Sequence, residues 1–476
     1  MVLAGGTIYA SPDNAPIRGG VVVIEGGNIA AIGPSGAVPL PPDAAVLDCA
    51  GCAITAGFWN CHVHFFERKW ANVDAIPAAE LSRQLQEMLT QYGFTSVFDL
   101  SSPWANTLRL RERIESGEAA GPAIRSTGEG LVPPGAVPPD EVLEIMSVMK
   151  TPMPEVADAE QAAAAALRLL DQGVDGIKLF ASSPRGATLP ESVMAAAATE
   201  AHRAGKPVFV HPNSTADVES AVCAGADIVA HTTPRSGPWS EDLIALMRAR
   251  RVALTPTLTL WKYYLRHDRV STREQVVATA IGQLRASLAA GGEVLFGSDL
   301  GAVDYDPAEE YALMAEAGMT FRQILAALTT APAQRFGEGA RRGRIAPGFA
   351  ADLAVLQGHH EAGPQALGAV RTLHPACRRG GVQCERAPGA GITGALTWAA
   401  VAGWFSEEQD PASPPACCEV AGTRTTPVGN PPPARHRSLG RLGGQAGPAE
   451  RWLRPTWDAR TPVSTASPGR PPGHIR

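Results

Sequence analysis

Between residues 57 and 335, segments of helical character alternate regularly with short apolar runs that end in a polar residue. A glycine often closes the helical segment, as at helix C-termini, and the β-branched run that follows is typical of a buried parallel strand. The sequence contains eight such runs: G-F-W-N-C-H-V-H, Y-G-F-T-S-V-F-D-L, A-I-R-S-T-G, Q-G-V-D-G-I-K-L-F, A-G-K-P-V-F-V-H-P, A-G-A-D-I-V-A-H-T, R-V-A-L-T-P-T and G-G-E-V-L-F-G-S-D. Eight β/α repeats predict an α/β protein with a closed (β/α)8 TIM-like barrel. An open doubly wound sheet is the alternative, but it normally carries a glycine-rich phosphate loop after an early strand, and the sequence has none.

The segments on either side of this repeat region have the pattern of short strands. Residues 1–55 contain runs such as G-V-V-V-I-E-G-G-N-I-A-A-I-G, in which Gly-Gly and Gly-Asn mark hairpin turns. Residues 339–356 include R-I-A-P-G-F-A-A-D-L-A-V-L and return to the same style. We therefore expect the C-terminal strands to rejoin the N-terminal β unit, with the barrel formed by residues 56–338.

Residues 357–476 differ in composition from the rest of the chain. Ala, Gly, Pro and Arg dominate, and the segment contains no lysine. Such a segment buries too little apolar surface to offset its chain entropy. We expect it to be low in complexity and mostly disordered, and one hypothesis is that it is an out-of-frame translation of a GC-rich gene.

Bulk composition excludes several functional classes. A net charge of -6 on 476 residues, with no basic stripe, argues against nucleic acid as a partner. The sequence has no run of about 18 apolar residues, which argues against a membrane span, and the N-terminus lacks the pattern of a signal peptide. We expect a cytoplasmic protein that acts on a small molecule, and the sequence leaves open whether it forms a homo-oligomer. The cysteines are spaced too irregularly to indicate a disulfide framework.

Residues that can bind metals lie on several of the predicted strands, and they include four of the six histidines between residues 57 and 335. Side chains two apart on a strand point the same way, so the first pair converges. In a barrel the C-terminal ends of all strands share one rim, and neutral imidazole is a common metal ligand. The sequence thus predicts that six side chains converge on one rim and indicates a metal centre there: His62, His64, Lys178, His211, His231 and Asp299. Asp99 ends the second strand and could either hydrogen-bond a ligand histidine or cap the next helix.

This ordered set of residues resembles the amidohydrolase superfamily, in particular its imidazolonepropionase-like and dipeptidase-like branch. The phrases A-G-F-W-N-C-H-V-H, F-V-H-P-N-S, A-H-T-T-P and F-G-S-D-L are similar to those of the family, from the N-terminal β unit to about residue 356. The resemblance implies a composite β-sandwich beside the barrel and two divalent metal ions. One metal would lie on His62, His64 and Asp299, and the other on His211 and His231, with carboxylated Lys178 shared between them. Zinc suits such nitrogen and oxygen ligands, and manganese, cobalt and iron are alternatives.

The resemblance also implies a reaction. A hydroxide bridging the two metals would attack the substrate carbonyl, with Asp299 as general acid and base and His231 orienting or stabilising the carbonyl oxygen. Imidazolonepropionases resemble single-metal enzymes that lack the lysine, so Lys178 favours the two-metal, dipeptidase-like members. The expected activity is hydrolysis of amide-type C–N bonds in a dipeptide or an N-acyl amino acid. Two alternatives remain: a hydrolase of cyclic amides, lactones or carbamates with the same centre, and a catalytically inactive metal-binding protein.

Candidate substrate-binding residues follow the fourth and seventh predicted strands. Arg185, in S-S-P-R-G, could hold a substrate carboxylate with its guanidinium, or it could be an exposed loop residue. Trp261 and Tyr263, in W-K-Y-Y, could form a wall of the pocket or simply begin a helix. The sequence alone does not decide between these roles.

If residues 357–476 are an out-of-frame translation, resequencing the locus will reveal a change of reading frame near residue 357. The shifted frame explains the loss of periodicity because a frame change keeps GC-rich composition but not the protein's pattern. Detection by mass spectrometry of peptides from this segment in the natural protein would contradict the hypothesis.

Overall fold

The computed structural model describes residues 1–136, 153–183, 187–303, 306–357 and 370–373. Contacts divide the chain into residues 1–386 and 387–476, and the second unit lies outside the described residues. The expectation of disorder for residues 357–476 therefore falls almost entirely outside them. Within the described part of the chain, no helix is both long and apolar enough to cross a membrane. The four cysteines found there are free thiols.

The described chain begins with strands and then alternates strands with helices. The strands are β1 (Val2–Ile8), β2 (Ile17–Glu25), β3 (Asn28–Pro34), β4 (Val46–Asp48), β5 (Cys52–Ala56), β6 (Phe58–Val63), β7 (Phe94–Asp99), β8 (Ala123–Ser126), β9 (Ile177–Phe180), β10 (Val208–His211), β11 (Ile228–Ala230), β12 (Ala253–Thr255), β13 (Leu353–Gln357) and β14 (Val370–Leu373). The helices are α1 (Ala78–Met88), α2 (Trp104–Glu115), α3 (Ala159–Asp171), α4 (Glu191–Arg203), α5 (Thr215–Ala224), α6 (Glu241–Ala249), α7 (Leu258–Tyr264), α8 (Val270–Ala289), α9 (Ala308–Glu316), α10 (Phe321–Leu328) and α11 (Thr330–Arg335).

Local sequence signals account for the ends of these helices. Helix α5 begins with a capping box, in which the Ser214 side chain accepts a hydrogen bond from the Asp217 backbone and the Asp217 side chain accepts one from the Ser214 backbone. It ends at Gly225, which has a φ of 102°, a left-handed conformation that glycine adopts at little cost. The glycine before the next apolar run, noted in the sequence, thus separates helix from strand.

The terminal strands form one hydrogen-bonded sheet of seven strands. Its order is β14-β13-β5-β1-β2-β3, with β4 paired to β1. Strand β13 pairs with β5 in an antiparallel register. The segment after the repeat region thus rejoins the segment before it, as the sequence indicated. The sheet continues past residue 356, where the sequence pattern indicated its end, because β14 pairs with β13 in an antiparallel register.

The repeat region contains two parallel sheets. One has the order β6-β7-β8 and the other β12-β11-β10-β9, and every pairing within them is parallel. Consecutive parallel strands joined by helices are typical of a βα repeat. Seven of the eight predicted strand segments are thus regular strands, in the predicted order.

The eighth predicted segment, around residues 293–300, pairs through isolated bridges rather than as a regular strand. Val294 bridges Leu254 of β12, and Leu300 bridges Val63 of β6, both in parallel. A Cβ added at Gly297 would lie only 2.9 Å from the Cβ of His62, so the two backbones approach closely there. The segment therefore connects β12 with β6 across the gap between the two sheets.

An aromatic cluster joins the two parallel sheets below the strand ends. The rings of Phe98, on β7, and Phe209, on β10, have centroids 4.6 Å apart. Phe336, just after α11, lies 4.9 Å from Phe98 and 5.5 Å from Trp59. All four side chains are buried, so strands from both sheets share one core.

Gly57 connects the terminal sheet to the repeat region, because it lies between β5 and β6. A Cβ at this position would meet the Thr95 hydroxyl oxygen at 2.1 Å and an Asp352 carboxylate oxygen at 2.7 Å. Only a residue without a side chain leaves room for both neighbours.

We expect Gly57→Ala to lower the free energy of unfolding by about 1–3 kcal/mol, because overpacking forces the neighbouring backbone to shift. Gly282→Ala is the matched control: nothing lies within 4 Å of its added Cβ, in the middle of α8. That change should stabilise the protein by about 0.5–1 kcal/mol. Chemical unfolding of both variants measures the difference, and equal stabilities would contradict the steric account.

Candidate metal centre

Two histidines and one aspartate meet at the end of strand β6. The Nε2 atom of His64 lies 2.6 Å from Oδ1 of Asp299, and Nε2 of His62 lies 3.2 Å from the same oxygen. One ligand atom from each residue falls within 4.8 Å of the others, and all three side chains are buried. This donor set, two imidazole nitrogens and a carboxylate oxygen, can hold a divalent cation.

Burial and mutual charge set the protonation of these groups. Desolvation lowers the pKa of His62 well below its ordinary value, against the attraction of Asp299. Burial alone would raise the pKa of Asp299, but the adjacent His62, His64 and His231 hold it well below its ordinary value. A neutral imidazole beside an ionised carboxylate is the state that binds a metal.

Two further histidines lie beside this group rather than inside it. The ring of His231 has its centroid 4.7 Å from that of His62, and the ring of His211 lies 4.6 Å from that of His231. Burial lowers the pKa of His211 to about 4. Burial also lowers the pKa of His231, and the nearby His211 lowers it further. The structure thus brings the four predicted histidines into one row of neighbouring rings.

Lys178 is fully buried on β9, which pairs in parallel with β10. Its Nζ has no hydrogen-bond partner among the described residues and lies 5.3 Å from the centroid of the Phe180 ring. Desolvation lowers its pKa to about 7, partly offset by the charge of Asp299. A buried amine without a partner is costly, which is the main observation suggesting that another group belongs beside it.

The backbone around the centre is strained at the ends of strands. His231 has a φ of 92° and Asp299 a φ of 61°, in the region that side chains other than glycine rarely adopt. Thr257 and Ser101 also have positive φ values, of 44° and 68°. His231, Thr257 and Ser101 lie just past β11, β12 and β7, and Asp299 lies near the end of the eighth segment. Four of the five described non-glycine residues with positive φ are thus at strand ends around the candidate site, and the fifth is Arg251.

Asp99 has neither of the roles that the sequence left open. Its carboxylate accepts hydrogen bonds from the hydroxyls of Ser102, Ser126 and Thr107 and from the backbone amide of Phe65. Helix α2 begins after Pro103, without a side-chain cap. Asp99 therefore fixes the backbone that follows His64 rather than an imidazole ring.

The predicted substrate-binding residues separate into three cases. Arg185 lies outside the described residues. Trp261 is on helix α7, and its Nε1 donates a hydrogen bond of 2.8 Å to the Thr232 hydroxyl, next to His231. Tyr263 is two residues further on, where the Arg266 guanidinium lies 4.1 Å from the centroid of its ring.

Several residues that support the site were missed by the sequence analysis. The Asn60 side chain donates a hydrogen bond of 2.6 Å to the Ser298 hydroxyl and accepts one of 3.2 Å from the His62 amide. The Thr257 hydroxyl lies 2.6 Å from Nδ1 of His231. The alternation that selects inward-facing positions on a strand could have identified Asn60, two residues before His62. No local pattern distinguishes Thr257 from an ordinary helix cap.

Comparison with known proteins identifies one sequence family and several solved structures with a similar fold. A sequence model of the amidohydrolase family matches residues 53–382. A proposed prolidase from Bifidobacterium longum is 25% identical, with a TM-score of 0.64, and the match covers 77% of this chain and 91% of that one. A Xaa-Pro dipeptidase with methionine bound in its active site is 19% identical, with a TM-score of 0.66 and coverage of 78% and 96%. A prolidase in complex with N-methylphosphonate-L-proline is 24% identical, with a TM-score of 0.62 and coverage of 77% and 95%. Among curated proteins, no sequence matches significantly.

We expect divalent metal to raise the thermal unfolding temperature of the protein, because a ligand that binds only the folded state stabilises it. At a free metal concentration 100 times the dissociation constant, the gain is about 2.7 kcal/mol. Asp299→Asn should lose most of this shift, since an amide is a poorer ligand than a carboxylate.

The control is Asp171→Asn, which removes an exposed carboxylate at the end of helix α3. It should retain the shift of the unmodified protein. An equal metal-induced shift in the Asp299 variant would show that this carboxylate does not hold the ion.

Proposed function

The chain belongs to the amidohydrolase family and is a hydrolase of carbon–nitrogen bonds, and from this premise we propose that it cleaves an amide-type bond in a dipeptide or an N-acyl amino acid with the help of two divalent metal ions. The family membership confirms the resemblance drawn from the sequence. The observation that carries the proposal is the convergence of two imidazoles on one buried carboxylate oxygen, next to two more imidazoles and a buried amine.

The residues present fit a binuclear centre. We assign one metal to His62, His64 and Asp299, whose ligand atoms already lie together. We assign the second to His211 and His231, whose rings are adjacent. Zinc is our first choice for these ligands. When bound, such ions lower the pKa of water and polarise a carbonyl group.

The buried Lys178 supports the second part of the assignment. With a pKa of about 7, a large share of its amine is neutral at physiological pH. A neutral amine can attack carbon dioxide, forming an N–C bond and releasing a proton. The resulting carbamate is an anion with two oxygen ligands, and it would resolve the cost of an unpartnered buried amine. We propose that Lys178 is carboxylated in this way, and its carbamate oxygens would then help to hold both metal ions.

The other side chains of the site would move and hold protons. Asp299 is held in its ionised form by the adjacent imidazoles, so its carboxylate can accept the proton of the attacking water. The same group can then return the proton to the leaving nitrogen. The ring of His231 lies next to the rings of both His62 and His211. We expect His231 to orient the substrate carbonyl oxygen there. Trp261, held against Thr232, would form part of the pocket wall.

We also propose that the two parallel sheets close into one eight-stranded barrel. The bridges of Val294 to Leu254 and of Leu300 to Val63 support this on one side, and the bridge of Leu131 to Leu179 supports it on the other. Closure places all the metal-binding residues on one rim, as the family's fold implies. The N-terminal and C-terminal strands would remain a separate β unit beside the barrel.

The substrate class follows from two observations of unequal weight. The 25% identity to a proposed prolidase supports a dipeptide-like substrate. The presence of Lys178 at the predicted position favours the two-metal members of the family. The same centre could also open a cyclic amide, a lactone or a carbamate, since the attacked carbonyl group is common to all of them.

The proposal can be tested by measuring turnover with the metal-loaded protein. The substrates would be a panel of dipeptides, N-acyl amino acids, cyclic amides and lactones. We expect the highest kcat/KM among the dipeptides or N-acyl amino acids. A higher value for lactones or cyclic amides would replace the substrate class. Tightly bound metal without turnover of any compound would instead favour an inactive metal-binding protein.

Lys178→Ala should lose most of the activity and one equivalent of metal, because the bridging carboxylate is removed. Short carboxylic acids that fit the vacated space should restore part of the activity. Lys206→Ala, which removes a partly exposed lysine ion-paired with Asp175, is the control and should be unaffected. Elemental analysis that finds the same metal content in the Lys178 variant would contradict the bridge.

A further inference from the structure

Helix α7 begins beside the metal centre in an unusual way. Thr257 occupies its N-cap position but does not cap the helix with its side chain, and its backbone is left-handed. The Thr257 hydroxyl lies instead 2.6 Å from Nδ1 of His231. A side chain that ordinarily satisfies a helix amide is thus used on an imidazole.

Glu310 caps the same helix from a neighbouring element. Its carboxylate, on helix α9, accepts hydrogen bonds from the amides of Leu258 and Thr259, at 2.9 Å and 2.8 Å. It also accepts one of 2.8 Å from the Thr259 hydroxyl. The first amides of α7 therefore have a partner without Thr257, and the carboxylate, when ionised, places a negative charge at the positive end of the helix.

Burial makes ionisation of the Glu310 carboxyl group less favourable. Glu310 is fully buried, and desolvation raises its pKa to about 7 against the effect of its three hydrogen bonds. A buried carboxylate is retained at such a cost only where its hydrogen bonds are needed. Its three hydrogen bonds all come from the first turn of α7.

A second contact links α7 to the same stretch of backbone. Trp261 donates its indole hydrogen bond to the hydroxyl of Thr232, the residue after His231. Helix α7 thus holds His231 by its ring and Thr232 by its side chain, one turn apart. His231 has a φ of 92°, a conformation that persists only where the surroundings determine it strongly.

We propose that α7, capped by Glu310, is a positioning clamp for His231, and that Thr257 is its specific contact. The Thr257 oxygen accepts the Nδ1 proton of His231, which fixes the neutral tautomer whose Nε2 is free of a proton. That nitrogen is then the one that can ligate a metal. The same clamp fixes Trp261, so the metal ligand and the pocket wall are held by one helix.

The metal part of this inference rests on the proposed function, but the tautomer does not. In the metal-free protein, nitrogen-15 NMR of the histidine rings should show His231 protonated at Nδ1. Thr257→Val, which keeps the branched shape and removes the hydroxyl, should give a mixture of tautomers. Thr257→Ser should restore the Nδ1-protonated form. An Nε2-protonated His231 in the unmodified protein would overturn the clamp.

Metal titration supplies the second readout. We expect Thr257→Val to weaken the binding of one zinc equivalent by about 10- to 100-fold, the range seen when the outer partner of a ligand histidine is removed. Thr257→Ser should bind zinc as the unmodified protein does. Unchanged zinc affinity in Thr257→Val would overturn the inference, whereas an unmodified protein that binds no zinc would overturn the proposed function and leave the NMR result to decide the clamp.

Glu310→Gln tests the same clamp from its far end. The amide nitrogen of glutamine would face the amides of α7, so the helix start should loosen, with weaker zinc binding and a higher KM. Glu316→Gln, an exposed carboxylate on the same helix α9, is the control. Equal zinc affinity and KM in the two variants would show that Glu310 does not act on the site.

Discussion

The rest of the site depends on the contact between the buried carboxylate of Asp299 and the imidazoles of His62 and His64. An isolated ionised carboxylate in a protein interior is costly, and imidazoles or a cation must compensate for it. Asp299 meets the Nε2 atoms of His62 and His64, and its charge acts on Lys178 across the site. Burial lowers the pKa values of His62 and Lys178, and the charge of Asp299 opposes this effect. The two effects together set the protonation of these groups and so their capacity to bind a metal.

The fold supplies this charge with partners by bringing together distant parts of the chain. The histidines and Asp299 come from the ends of β6, β10, β11 and the eighth segment, and Lys178 comes from within β9. Left-handed backbone at His231 and Asp299 shows that the direction of the side chains is imposed from outside. The hydrogen bond between Asn60 and Ser298 does this for the pair of elements that carries His62 and Asp299.

Much of the site could be predicted because metal-binding residues are rare and strand ends are easily recognised. His62, His64, His211, His231 and Asp299 were selected in this way, and Lys178 because a charge inside an apolar run is unusual. The role of Asp99 could not be predicted, since its partners come from three separate segments. The eighth strand was predicted as regular, but it pairs only through isolated bridges, and its backbone approaches His62 closely at Gly297.

The sequence by itself determined the order of helices and strands, the rejoining of the terminal strands and the residue types at the centre. These depend on local periodicity and on chemistry that single residues carry. Only the tertiary structure decided that Thr257 contacts His231, that Glu310 caps a helix other than its own, and that Trp261 is held beside the metal centre. Such contacts require elements that are remote in the chain to approach within hydrogen-bonding distance, and no local pattern encodes them.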